Sequence, residues 1–203
     1  MLAASGAVRR PFAVINADDF YGAAAYQELA RHLGSTAGTA GRPQYALVGY
    51  RLRQTLSEHG AVNRGLCRVD AAGRVTGIDE VLRIERTPDG TIRHPRPDGG
   101  WTVLSGDETV SMTCFGFTPA FLGQLGERFG AFLARHGTSA TAECYLPVAV
   151  GEIVRDGAAD LRLLKSADAW FGMTYREDVA ATAAAVRGLI AQGVYPERLD
   201  AAR

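Results

Sequence analysis

The run Phe12-Ala13-Val14-Ile15-Asn16-Ala17, followed at once by Asp18-Asp19, limits what this chain can fold into more than any other feature. A short, mostly apolar run of this kind reads as a buried strand. Two carboxylates directly behind it stand at the strand's C-terminal tip, where open α/β sheets hold their ligands. Gly22 comes next, and residues 23–33 (AAAYQELARHL) carry helical periodicity until Gly34 stops it. Strand, acidic turn and helix in immediate succession predict an α/β protein.

The rest of the chain repeats the alternation. Residues 45–50 (YALVGY) and 62–69 read as strands, and Asp70-Ala71-Ala72-Gly73 as a turn into residues 75–78. Pro88-Asp89-Gly90 and Pro97-Asp98-Gly99-Gly100 are hairpin signals, so residues 80–104 form an excursion of antiparallel strands. Residues 110–117 are strand-like, and Pro119 opens a helix over 119–134. Residues 141–154 read as a helix around Glu143, residues 161–164 as a short strand, and 178–192 as a last helix closed by Gly193. Strands alternating with helices predict a mixed, mostly parallel sheet with an inserted β-hairpin region, in one domain over residues 1–203.

Composition narrows the function. Formal net charge is zero, so no overall field draws the chain to nucleic acid or an acidic membrane. No apolar run reaches the roughly 20 residues of a membrane span, and the N-terminus has no signal-peptide pattern. A cytoplasmic location is expected. Cys67, Cys114 and Cys144 lie far apart without metal-ligand spacing and read as reduced thiols.

The Asp18-Asp19 turn carries the chemistry. Mg²⁺ takes oxygen ligands and is commonly held by one or two carboxylates plus substrate phosphates. The plainer reading is a solvated turn in which Asp19 caps the following helix. The string NADDF also resembles the signature of metal-dependent carbohydrate deacetylases. Those enzymes need closely spaced histidines, and His32, His59, His94 and His136 are scattered.

Taken with four further segments, the turn resembles the sugar-phosphate nucleotidyltransferases, the NDP-sugar pyrophosphorylases. The segments are residues 62–70 (VNRGLCRVD), 111–119 (SMTCFGFTP), 142–147 (AECYLP), and 170–178 (WFGMTYRED) with 193–196 (GVYP). They lie in the family's order over residues 10–200. The resemblance implies a Rossmann-like nucleotide-diphospho-sugar transferase fold. It also implies a metal-dependent reaction, with Mg²⁺ or Mn²⁺, in which an NTP and a sugar 1-phosphate give an NDP-sugar and pyrophosphate. By the same resemblance Asp18 is the principal metal ligand, with Asp19 supporting it. Asn63, Gly65 and Glu143 face the sugar, and Asp178, with Glu177 beside it, completes the metal site.

Two departures qualify this. The family's glycine-rich nucleotide loop has no counterpart here, which implies that the first βα units are missing. The family's aspartate two residues after the tryptophan is replaced by Gly172. A missing front would leave a strand edge open, to be covered by dimerisation or by chain outside this sequence. A non-catalytic sugar- or nucleotide-binding or assembly domain is therefore the alternative function, and a glycosyltransferase with the same sheet a third.

Overall fold

The computed structural model describes residues 1–36, 41–172 and 175–198. Strand β1, Phe12–Val14, leads through the acidic turn into helix α1, Ala23–Thr36. Strand β2, Gln44–Arg51, precedes the long antiparallel pair β3, Val62–Val69, and β4, Val75–Arg86. Two short strands, β5 (Ile92–Pro95) and β6 (Trp101–Leu104), form the expected excursion, with Gly90 and Gly99 in the left-handed conformation that its turns require. Strand β7, Thr109–Phe117, runs into helix α2, Ala120–His136, and helix α3, Leu146–Arg155. Strand β8, Asp160–Lys165, and helix α4, Asp178–Ala191, follow.

The strands form one sheet in the order β6-β5-β4-β3-β7-β2-β8, with β1 also paired to β7. Here the expectation of a mostly parallel sheet is corrected. Among the described residues β2–β8 is the only parallel pair, and every other pairing is antiparallel. The physical reason lies in the connections. The links β3–β4, β4–β5 and β5–β6 are tight turns, which can join only antiparallel neighbours. Helices α2 and α3 then carry the chain from β7 to β8, which lies beside β2.

Alternation along β2 and β7 divides the core into two layers. Tyr45 and Leu47 join Phe115 and Phe117 on one face, beneath Phe121 and Leu125 of α2 and Ala149, Val150 and Ile153 of α3. The Phe117 and Phe121 rings stack there at 3.6 Å. Ala46, Val48 and Tyr50 join Val110, Met112 and Cys114 on the other face, beneath Ala25 and Leu29 of α1.

One helix departs from the sequence reading in an informative way. Helix α3 begins at Leu146 rather than near 141, with Pro147 in its first turn and Tyr145 extended at its N-cap. Proline's fixed φ and missing N–H favour a first-turn position. Glu143 consequently stands on an exposed, non-helical approach to the helix. Helix α4 buries none of its residues and is tied down at its start, where Asp178 accepts a hydrogen bond from the Ser57 hydroxyl at 3.0 Å.

The cysteines are free. Burial pushes the Cys67 and Cys114 thiols up to about 12, whereas Cys144 is exposed. Thiolate is the reactive form. One thiol per chain should therefore react with a disulfide reagent at neutral pH, and all three after denaturation. Two fast-reacting thiols in the native protein would contradict this burial.

Candidate functional site

The site is built around the turn after β1. The strand's regular pairing ends at Val14, the chain turns at Ala17-Asp18, and Phe20 is then bridged to Phe171 by two backbone hydrogen bonds of 2.8 and 3.0 Å. This bridge brings the Trp170–Gly172 segment against Asp19. A side chain at Gly172 would run into the Trp170 ring and lie 2.9 Å from Asp19 Oδ1. Close packing thus accounts for glycine where the family resemblance expects an aspartate.

The two acidic groups of the turn are held differently. Asp19 is half-buried, and its Oδ2 accepts hydrogen bonds from Asn16 Nδ2 at 3.0 Å and from the Tyr21 hydroxyl at 3.1 Å. Tyr21 is wholly buried, and its hydroxyl also lies 2.6 Å from the Met112 carbonyl, so the turn is anchored to β7. Burial raises the Asp19 pKa, the Asn16 and Tyr21 bonds oppose that rise, and the neighbouring Asp18 charge adds to it. Asp18 is exposed and accepts no hydrogen bond among the described residues. One carboxylate is therefore positioned and the other is free to take an external ligand.

Trp170 is 8% exposed, and its indole N–H has no acceptor at bonding distance among the described residues, although it lies near enough to Asp19 to help lower that pKa. A buried donor left without a partner costs roughly 1–3 kcal/mol and calls for an explanation. Above the ring sits the guanidinium of Arg64, 5.3 Å from its centroid. Arg64 is buried and donates to Thr55 Oγ1 at 3.1 Å, to the Thr55 carbonyl and to the Asn63 carbonyl at 2.8 Å. Burial lowers its pKa to about 10, and the charges of Asp19, Glu80 and Asp178 resist that fall. Glu80, across β4, is itself raised by burial and drawn down by Arg64. These groups form one charge-coupled cluster.

The remaining residues singled out in the sequence lie at different distances from this cluster. Gly65 pairs with Ser111 of β7 and Glu80 of β4, and a side chain there would meet Ile78 at 2.9 Å and Pro147 and Ser111 at 3.4 Å. Close packing within the protein thus requires a glycine at this position. The Asn63 Oδ1 accepts the Arg83 amide at 3.0 Å, which pins a bulge in β4. Glu143 is exposed, two residues before Tyr145, whose hydroxyl pKa is raised chiefly by the nearby Glu143 carboxylate. Asp178 is occupied by Ser57 and by the Tyr175 amide at 2.8 Å. Among the described residues no three His, Cys, Asp or Glu side chains converge as a metal site, so Asp178 and Asp18 do not share a ligand cage with a third acid. The oxygen donors of Asp18 and Asp19 nevertheless match what Mg²⁺ accepts from proteins.

Sequence reasoning passed over Tyr21, Glu80 and Thr113. Tyr21 lay inside the acidic motif, and its anchoring role needed β7 alongside. Thr113 sits in an irregular stretch of β7 with φ 60°, an outlying conformation for a β-branched residue, two residues from Ser111 and next to the carbonyl that receives Tyr21. No signal in the sequence marked it.

Gly22 makes the turn possible. Its φ is +80°, and the place of a side chain is filled by Asp168, whose Oδ2 accepts the Ala24 amide of α1 at 2.7 Å. Gly22→Ala should cost about 2 kcal/mol, from left-handed strain and a displaced cap. Chemical denaturation would measure it, and a loss below about 0.5 kcal/mol would exclude both causes.

No protein-family model matches the chain, and no curated protein matches it in sequence. Solved structures do resemble it. The inositol-1-phosphate CTP transferase from T. maritima superposes with a TM-score of 0.50 at 10% identity, over 95% of this chain and 61% of that one. A structure from Thermus thermophilus, titled a mannose-1-phosphate geranyltransferase, gives 0.40 at 18% identity, over 83% of this chain and 48% of that one. Both neighbours are named as transferases, with a polyol or sugar 1-phosphate in the name. At 10% identity the first likeness is one of fold. This chain spans 61% of that neighbour's length. Among the described residues no helix is long and apolar enough to cross a membrane.

Proposed function

We propose that this chain carries the metal and sugar side of a nucleotidyl transfer, in which an NTP and a sugar 1-phosphate give an NDP-sugar and pyrophosphate. The observation that carries this reading is the Asp18-Asp19 turn. One carboxylate is fixed by Asn16 and Tyr21, and the other is free, within a fold shared with a CTP transferase. In the reaction a phosphate oxygen of the sugar phosphate attacks the α-phosphorus, and the bond from that phosphorus to pyrophosphate breaks. No proton need be lost from a phosphate dianion, so positioning and charge stabilisation dominate.

Asp18 and Asp19 would hold Mg²⁺ or Mn²⁺, which when bound supplies positive charge to the phosphates. Arg64 sets the potential from beneath, since it is buried and its charge is felt by Asp19, with no carboxylate contact among the described residues. Asn63, Gly65 and Glu143 would line the sugar end. Asp178 serves chiefly to fix the start of α4, and its part in holding metal would require release of Ser57 or Tyr175.

The test is pyrophosphate release by the protein as encoded in its source, with a panel of NTPs and hexose 1-phosphates and with Mg²⁺ or Mn²⁺. Release that needs NTP, sugar phosphate and metal together supports the reading. Metal-dependent ligand binding without any release would move the assignment to a non-catalytic binding domain.

A further inference from the structure

We infer that the free edge of β1 pairs antiparallel with β1 of a second copy of this chain, and that this pairing carries Arg10 of each copy to the acidic turn of the other. Among the described residues β1 pairs only with β7, so its other edge presents open backbone N–H and C=O groups. Phe12 and Val14 pack against the layer under α2 and α3. Ala13 alternates to the α1 side, where it lines an apolar groove of about 420 Å³ with Tyr26, Leu29, Ala30 and Leu33. Ile15, two residues on, is 41% exposed, and Tyr26 at the groove is 42% exposed. An open strand edge, an empty apolar groove and an exposed isoleucine thus lie side by side.

Charge selects the occupant. Arg10 precedes the strand and Asp18 and Asp19 follow it, so the segment is basic at one end and acidic at the other. A twofold antiparallel pair brings the unlike ends together and is complementary to itself. Pairing centred on Val14 sets Arg10 across from Asp18, and in the same register sets Ile15 across from Ala13 at the mouth of the groove. Pro11, which has no N–H to give, then falls opposite Ala17, where the chain has already turned. Arg10 is exposed and makes no side-chain hydrogen bond or ion pair among the described residues. Arg64, the cation inside the site, is buried and committed to Thr55 and Asn63. The partner's Arg10 would bring free donors to phosphates drawn to a metal at the turn, a role that rests on the proposed nucleotidyl transfer.

Sedimentation equilibrium of the full chain, without nucleotide or metal, tests the pairing. The contact is small, so the wild type should dimerise in roughly the micromolar range. Ile15→Ala removes two groove-filling side chains per dimer and should weaken association about tenfold or more. Arg10→Asp and Asp18→Arg each set like charges across the pair, twice per dimer, and each alone should weaken it by about a hundredfold. Mixed in equal amounts, the two charge variants should associate again as a heterodimer, because each supplies the sign the other lacks. Near-ultraviolet circular dichroism shows that each variant is folded. A wild type still monomeric at about 100 µM overturns the inference and leaves the edge to a different polypeptide. A dimer indifferent to Ile15→Ala and Arg10→Asp overturns it too, as does a mixture that stays monomeric. Association restored by mixing, in a protein whose wild type releases no pyrophosphate, keeps the interface and removes only the role of Arg10 toward phosphate.

Discussion

Asp18→Asn should weaken Mn²⁺-dependent nucleotide binding by about two orders of magnitude or more while leaving the melting temperature unchanged. The two halves of this expectation come from the same geometry. Asp18 is exposed and serves no internal hydrogen bond among the described residues, so its amide analogue disturbs nothing in the fold. It also supplies the free charge of the turn, and a neutral amide oxygen is a much weaker ligand for a hard dication than a carboxylate. Asp19→Asn is the contrasting variant. It disturbs the bonds to Asn16 and Tyr21, which anchor the turn to Met112, and should lower stability as well as binding. Titration with Mn²⁺, followed by its paramagnetic signal in the presence of an NTP, measures the first effect, and a thermal melt the second. Unchanged Mn²⁺ binding in Asp18→Asn would remove Asp18 from the metal assignment. A large fall in melting temperature would show that the residue holds the turn together.

Much of the local structure behind this expectation was legible in the sequence. Helix α1, strands β2, β3 and β7, and the hairpin excursion all follow from local periodicity and turn residues, whereas the buried strand expected over residues 12–17 is only Phe12–Val14, with none of its residues buried. Strand direction was not legible, because alternation of apolar residues is the same in parallel and antiparallel pairs. It is decided by which strands the connections allow to meet. Helix α3 starts late because Pro147 belongs in a first turn, and this left Glu143 outside the helix expected for it. The site divides in the same way. Asp18 and Asp19 announce themselves as a local motif. Arg64 over Trp170, and Glu80 beside Arg64, depend on segments far apart in the chain. The left-handed Thr113 and Arg83 oppose their own residue preferences, so propensity reasoning points away from them.

Arg64 is where fold and site depend on one side chain, and Arg64→Ala should destabilise the protein by about 3–5 kcal/mol. The substitution leaves the buried Thr55 hydroxyl and carbonyl without their donor, uncovers one face of the Trp170 ring, and opens a void beneath it. It also removes the cation that offsets Asp19 and Glu80. Both carboxyls are already raised by burial, and without Arg64 the Glu80 carboxyl should rise further. The sign of the pH dependence follows. A carboxyl raised in the folded state keeps its proton longer there than in the unfolded chain, so stability is lost as pH rises through the raised value. The deficit of Arg64→Ala relative to wild type should therefore be smallest at acid pH, where both carboxyls are protonated in folded and unfolded chains. It should grow as pH rises above the ordinary carboxylate range. Arg64→Met restores volume without charge, so it should recover the packing part of the loss and keep the pH-dependent part. Urea denaturation of the three proteins across that range measures both parts. A deficit that does not change with pH would mean that Arg64 acts through packing and its Thr55 bonds alone, and the acids around it would then have to be neutralised by another group.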